Sequence, residues 1–168
     1  LAAILEAAYP RYKEAFGKEP GGRKMNLYAF RTFEDYRNFC IREKTTGSLG
    51  AHGYAVAARN YGCGYDALKT KESFLSTLVH EACHLFYGRA FPASDAPSWF
   101  HEGMATNFEG YSWDGAKLAF TFISKWRLPW VKQAFRSGNY LPLAEFLNGD
   151  ANAAINKGVQ DSTIFYSQ

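Results

Sequence analysis

Little in this sequence points to a membrane, a nucleic acid or a disulfide scaffold. No apolar run reaches about 18 residues, so no membrane-spanning helix is expected. Net charge is only +3, and Lys and Arg are dispersed rather than clustered, which argues against a nucleic-acid partner. Cysteine is scarce: Cys40, Cys63 and Cys83 are all there is. Cys40 and Cys63 could pair, but three cysteines make no disulfide framework. The first residues, LAAILEAAYPRYKEAFG, lack an initiator Met and a basic stretch ahead of a long apolar run. They read as a helix rather than a signal peptide, although the missing Met permits a signal already removed. Compartment stays open, with a secreted or periplasmic location favoured over a cytoplasmic one. Histidine is scarce too, with four in the chain. Repeats and low-complexity segments are absent.

What is present describes a globular protein with an aromatic interior. The 168 residues suit one domain, 1–168, and 47% hydrophobic with 21% charged residues is ordinary for such a chain. Aromatics reach 17%, with 14 Phe, 11 Tyr and 4 Trp, enough for an aromatic core and an aromatic-lined cleft.

Periodicity divides the chain into short elements. Residues 1–16 carry Ile4, Leu5, Ala8, Tyr12 and Phe16 at helical spacing. Residues 24–30 alternate as a strand, with Met25, Leu27 and Ala29 on one side. Residues 32–43 open on Thr32, a helix N-cap candidate. After a loop at 45–53, residues 54–60 are predicted as a strand and 61–69 as a turn-rich connection. The strongest helix is 71–88. A two-proline loop, 89–97, leads to a second helix at 98–110. Residues 114–136 are expected to be largely helical with a break at Pro129, and 141–149 to form a short helix. The final STIFYSQ resembles a first helical turn, so the domain is expected to continue beyond Gln168. A small mixed layer followed by helices argues an α+β fold.

The chemistry concentrates in HEACHLFYG, residues 80–88. His80 and His84 lie one helical turn apart on one face, a spacing that lets two imidazoles meet one metal ion. Glu81 sits close to the same face and can hold a water beside that metal. Zinc lowers the pKa of a bound water towards about 7, within reach of a carboxylate base. The plain alternative is an amphipathic helix, with Thr77, His80, Glu81, His84 and Gly88 on its polar stripe. A hydrolytic zinc site needs a third protein ligand. Glu102, 18 positions after His84 in PSWFHEGMATNFE, is the candidate. The intervening loop can turn the chain so that the second helix lies beside the first, and Gly103 and Ala105 are small enough for close approach. His101 is the alternative ligand; its side chain leaves the helix about 100° from that of Glu102, so only one of the two can face the histidine pair. Cys83 falls on the core side and reads as a buried structural thiol.

These residues, HExxHxxxG followed by WxxEGxAxxxE, resemble the gluzincin metallopeptidases, as in aminopeptidase N and thermolysin-like enzymes. They look closest to bacterial peptidase-MA-like domains. The resemblance covers residues 74–110 and, weakly, the last few. It implies a zincin-like fold in which a small mixed sheet packs on the active-site helix and a mainly helical part follows. It implies one Zn2+ held by His80, His84 and Glu102, with Glu81 as general base and later proton donor. Glu109 stands where such families place a carboxylate that orients a ligand histidine, with Thr106 as the other candidate for that role. Tyr166 begins a YSQ that resembles the late tyrosine-containing helix start of these families, which implies an oxyanion donor; a core aromatic is the alternative. Two features depart from the pattern. The gap from His84 to Glu102 is one residue shorter than in aminopeptidase N. The GxMEN-like signature that binds a peptide amino terminus is absent, so the resemblance does not extend to aminopeptidase activity.

The expected function is therefore zinc-dependent hydrolysis of a peptide or protein substrate. Two alternatives stand beside it: a zinc hydrolase for a non-peptide amide, and a non-catalytic zinc-binding domain that keeps the fold for a binding role. Residues 50–60 precede the active helix, where zincins place a cleft-lining strand that an extended peptide could join. His52, Tyr54, Arg59, Asn60 and His101 are the candidate substrate contacts. Oligomeric state is left open.

Overall fold

The computed structural model describes residues 1–121 and 123–149. Tyr166 and the expected final helix lie outside the described residues. The molecule is α+β and helix-rich, organised around one central helix, α3 (Lys71–Ala90). Thr70 caps it: the hydroxyl accepts from Ser73 N, while Glu72 in the first turn and Arg89 in the last complement the helix dipole. The plain alternative reading gives α3 a solvated polar stripe. Instead it is buried around most of its girth, His80 and Glu81 included.

Helix α1 (Ala2–Phe16) covers one flank of α3 with Ile4, Ala8 and Tyr12. The Tyr12 hydroxyl donates to Val79 O at 2.8 Å. Phe86 meets Tyr9 and Tyr12 edge-on, with ring centroids 5.1 and 5.7 Å away. Burying a side chain of this size contributes about 1.5–3 kcal/mol. α1 continues through Pro10 and stops at Gly17, which adopts φ 63 and donates to Lys13 O.

The other flank is a three-stranded sheet in the order β1-β3-β2. β1 (Asn26–Phe30) runs parallel to β3 (Tyr61–Tyr65), and β2 (Gly53–Val56) runs antiparallel to it as an edge. Helix α2 (Phe33–Glu43) closes the far face of the sheet; Thr32 is its N-cap and accepts from Asp35 N. Residues 61–65 were expected to be a turn because of Gly62 and Gly64. They form the central strand, and the glycines are there because α3 lies against them: a Cβ on Gly64 would stand 3.1 Å from Thr77 Cγ2. The strand expected over 54–60 ends early, at Val56, and a 3₁₀ turn (Ala57–Arg59) follows.

After α4 (Ser98–Asn107) the chain is less helical than expected. Residues 111–120 form a hairpin, β4 (Tyr111–Trp113) and β5 (Leu118–Phe120). Asp114 Oδ1 accepts from Ala116 N and Lys117 N, and Gly115 takes φ 104, so the turn is set by local chemistry. Helix α5 (Leu128–Ser137) then begins with Pro129 in its first turn rather than being broken by it. α6 (Leu143–Leu147) is a short helix within the expected span. All three cysteines are buried free thiols, so Cys40 and Cys63 do not pair. None of the helices among the described residues is long and apolar enough to cross a membrane.

Candidate metal centre

The loop after α3 returns the chain so that α4, with Pro97 as its N-cap, packs against α3. Ala105 is fully buried at this contact, whereas Gly103 faces open space, so Ala105 is the small residue the packing uses. This packing brings Glu102 to the two histidines. Glu102 Oε2 lies 3.1 Å from His80 Nε2 and 3.2 Å from His84 Nε2, and the two Nε2 atoms are 2.9 Å apart. His80, His84 and Glu102 form a group that could hold a metal ion.

The arrangement calls for a proton or a metal ion between the three atoms. An ionised carboxylate only accepts hydrogen bonds, and a neutral imidazole has one nitrogen that accepts and one that donates. His80 Nδ1 is engaged by Glu109 Oε1 at 2.8 Å. With Glu109 ionised, Nδ1 carries the proton, so the lone pair of His80 Nε2 meets that of Glu102 Oε2, with His84 Nε2 beside both. A metal ion, or the N–H of His84 placed on Nε2, reconciles them. The titration tendencies agree. Burial opposes charge on His80, yet the carboxylates of Glu102 and Glu109 outweigh it and lift the imidazole to about 10. Burial likewise raises the Glu102 carboxyl, but His84 and His80 overcome it and hold the group well below the usual carboxylate range.

Glu109 is 3% exposed and saturated with donors. Arg127 Nε reaches Oε2 at 2.6 Å and Arg127 Nη2 reaches Oε1 at 2.7 Å. Ser124 Oγ donates to Oε2 at 3.2 Å. Ser76 Oγ fixes the backbone, donating to Glu109 O at 3.1 Å. Burial would raise the Glu109 carboxyl; the Arg127 and His80 cations outweigh it and depress the group. Arg127, Ser124 and Ser76 were not read from the sequence. Arg127 is 18 positions from Glu109, and nothing in SKWR marks the contact.

Glu81 lies under the edge strand. A Cβ on Gly53 would stand 2.9 Å from Glu81 Cγ and 3.0 Å from Oε1. The carboxylate makes no hydrogen bond among the described residues, and burial raises its pKa to about 7 against the pull of His80 and His84. A carboxyl poised there can gain or lose a proton near neutrality.

The remaining candidates fall elsewhere. Thr106 Oγ1 is buried without a hydrogen-bond partner among the described residues and does not reach a ligand histidine. His101 packs edge-on against Tyr87, with centroids 4.9 Å apart, outside the three-residue group. Tyr54 points to the α2 face of the sheet, where its hydroxyl meets Thr45 Oγ1 at 2.6 Å. Asn60 is buried, with Nδ2 donating to Lys24 O at 2.7 Å, so its polar group serves a loop. Arg59 Nη1 donates to Glu43 O. His52 lines a shallow depression with Leu68, Phe74, Thr77 and Trp126. None of His80, Glu81, His84 and Glu102 lines that depression.

No protein-family model matches the chain, and neither does a curated protein or a solved structure.

Proposed function

We propose that this chain is a zinc-dependent metallopeptidase of the gluzincin type, with a zincin-like fold. The observation that carries the reading is the convergence of His80, His84 and Glu102 donor atoms within 2.9–3.2 Å of one another while Glu81 stands free beside them. The donor set suits zinc: donors about 2.0–2.2 Å from a tetrahedral zinc stand roughly 3.3 Å apart, close to the observed triangle. Support for the zincin-like fold comes from the antiparallel edge strand β2 running past Glu81.

When bound, the metal would polarise the substrate carbonyl and acidify a water. The protein supplies the rest. His80, His84 and Glu102 hold the ion and leave one position open. Glu81 takes a proton from the attacking water and delivers it to the amide nitrogen as the C–N bond breaks. An extended peptide can pair along β2, which would lay its carbonyl over Glu81.

The test is metal content of the purified protein by elemental analysis, followed by cleavage of a mixed peptide library by wild type and Glu81→Gln. Stoichiometric zinc in both, with cleavage reduced about a hundredfold to ten-thousandfold in the variant, is the expected result. Equal cleavage by Glu81→Gln would remove the mechanism. Zinc binding without hydrolysis of any peptide would leave a zinc-binding domain.

A further inference from the structure

We infer that Arg127 is a positioning residue for the metal centre: through Glu109 it fixes the His80 ring with Nδ1 turned away and Nε2 directed at Glu102 and His84. The inference rests on the zinc-site reading above and adds to it a residue from outside the two motif helices.

The geometry is a relay of hydrogen bonds running inward from the turn that leads into α5. Arg127 approaches Glu109 with two parallel donors, Nε on Oε2 at 2.6 Å and Nη2 on Oε1 at 2.7 Å. Such a fork–fork contact fixes the plane of the carboxylate as well as its position, which a lysine cannot do. Ser124 Oγ adds a third donor on Oε2. The fourth is His80 Nδ1, at 2.8 Å from Oε1. Both carboxylate oxygens are thus occupied by donors, and Arg127 has no acceptor to offer in exchange. His80 Nδ1 must donate, so the lone pair of its ring is on Nε2, the atom 3.1 Å from Glu102 Oε2 and 2.9 Å from His84 Nε2.

The relay is sheltered. The Glu109 side chain is 1% exposed and that of Arg127 13%, and the guanidinium lies 4.2 Å from the centroid of the Trp126 ring. Without Arg127 the carboxylate would lose two of its four donors and the contact that sets its plane. The His80 ring would then be held by a carboxylate free to swivel. Removing such outer partners of a ligand histidine typically lowers metal affinity tenfold to a hundredfold.

A merely structural Arg127, anchoring α5, would also destabilise the protein when removed, so the test is a double-mutant cycle read in metal affinity. Zinc and cobalt dissociation constants are measured by chelator competition for wild type, Arg127→Met, Glu109→Gln and the double variant, with thermal midpoints recorded alongside. Arg127→Met is expected to weaken zinc by about tenfold to a hundredfold, and the same change in the Glu109→Gln background by about twofold or less, because the relay is already cut. Full additivity would overturn the inference, as would unchanged affinity in Arg127→Met. If Arg127→Met does not fold, Arg127→Lys replaces it in the cycle; it keeps the charge and loses the fork, and the same non-additive loss is required. A wild type that binds neither metal sinks both the zinc reading and this inference. A wild type that binds zinc, beside an Arg127 variant that binds it equally, sinks this inference alone.

Discussion

The two faces of the three-stranded sheet are built from opposite materials. Facing α2 are Tyr28, Phe30, Tyr54, Tyr61, Cys63 and Tyr65, packed on Tyr36 and Phe39. Facing α3, at the intervening positions of the same strands, are Leu27, Ala29, Gly53, Ala55, Gly62 and Gly64. One register therefore carries bulk on one side and almost none on the other. The α2 face is an ordinary interior, in which apolar area supplies the stability and each buried hydroxyl finds a partner. The glycine face lets a helix that carries a buried His, a buried Glu and their partners lie close against a backbone. Two of the carboxylates on that side are compensated, Glu109 by Arg127 and Glu102 by the histidines, while burial raises the unbonded Glu81 towards its neutral form. Bulk builds one face, and proximity builds the other.

The sharpest way to break this contrast is to take a donor from the charged side. Glu102→Ala is expected to abolish stoichiometric zinc binding, because two histidines alone leave the ion without its third protein ligand. His101→Ala should leave zinc content unchanged, since His101 packs on Tyr87. Elemental analysis of the two purified variants beside wild type decides it. The reverse ranking would make His101 the ligand and require α4 to be rotated from the orientation described above.

Much of this was legible locally. The i, i+4 histidine pair and the helix 71–88 follow from helical spacing, and a loop long enough to turn back brings 98–110 beside them; the choice of Glu102 over His101 comes from the resemblance. The apolar positions of residues 1–16 likewise anticipate the buried Ile4, Ala8 and Tyr12 of α1. YGCGY was misread for a physical reason. Two glycines in five residues signal a turn when the chain is considered alone, but here they answer to α3, a partner visible only in the fold. The hairpin at 111–120 was missed because strands of three residues are too short to show a period of two. Arg127 escaped because its meaning lies in a contact across 18 positions, and Tyr54 and Asn60 because the same side-chain chemistry serves substrate and scaffold alike.

Gly53→Ala tests whether closeness is what the glycine face supplies. The new Cβ would stand 2.6 Å from Cys63 O and 2.9 Å from Glu81 Cγ, so β2 or Glu81 must shift. Overpacking of this kind costs about 1–3 kcal/mol. Thermal unfolding should show that loss, and peptide hydrolysis should fall further than zinc affinity, because Glu81 is displaced while the three donors on α3 and α4 stay. Wild-type hydrolysis in a destabilised Gly53→Ala would mean that the edge strand does not position Glu81.

Tyr36→Phe probes the aromatic face and has the smallest expected effect. Tyr36 is fully buried, and its hydroxyl donates to Ser48 O at 2.9 Å. Burial pushes that phenol far above its ordinary pKa, so the group stays neutral throughout the working range and only its hydrogen bond is at stake. Deleting the hydroxyl leaves the ring packed on Tyr54 and Tyr65 and should cost about 0.5–1.5 kcal/mol, with a further penalty if Ser48 O stays dry. Zinc affinity should be unchanged, because the lesion lies across the sheet from every donor atom. Chemical denaturation and chelator competition on the same sample separate the two quantities. A loss of zinc affinity in Tyr36→Phe would mean that the sheet transmits strain from its bulky face to its glycine face, and that the two sides act as one cooperative unit rather than as scaffold and site.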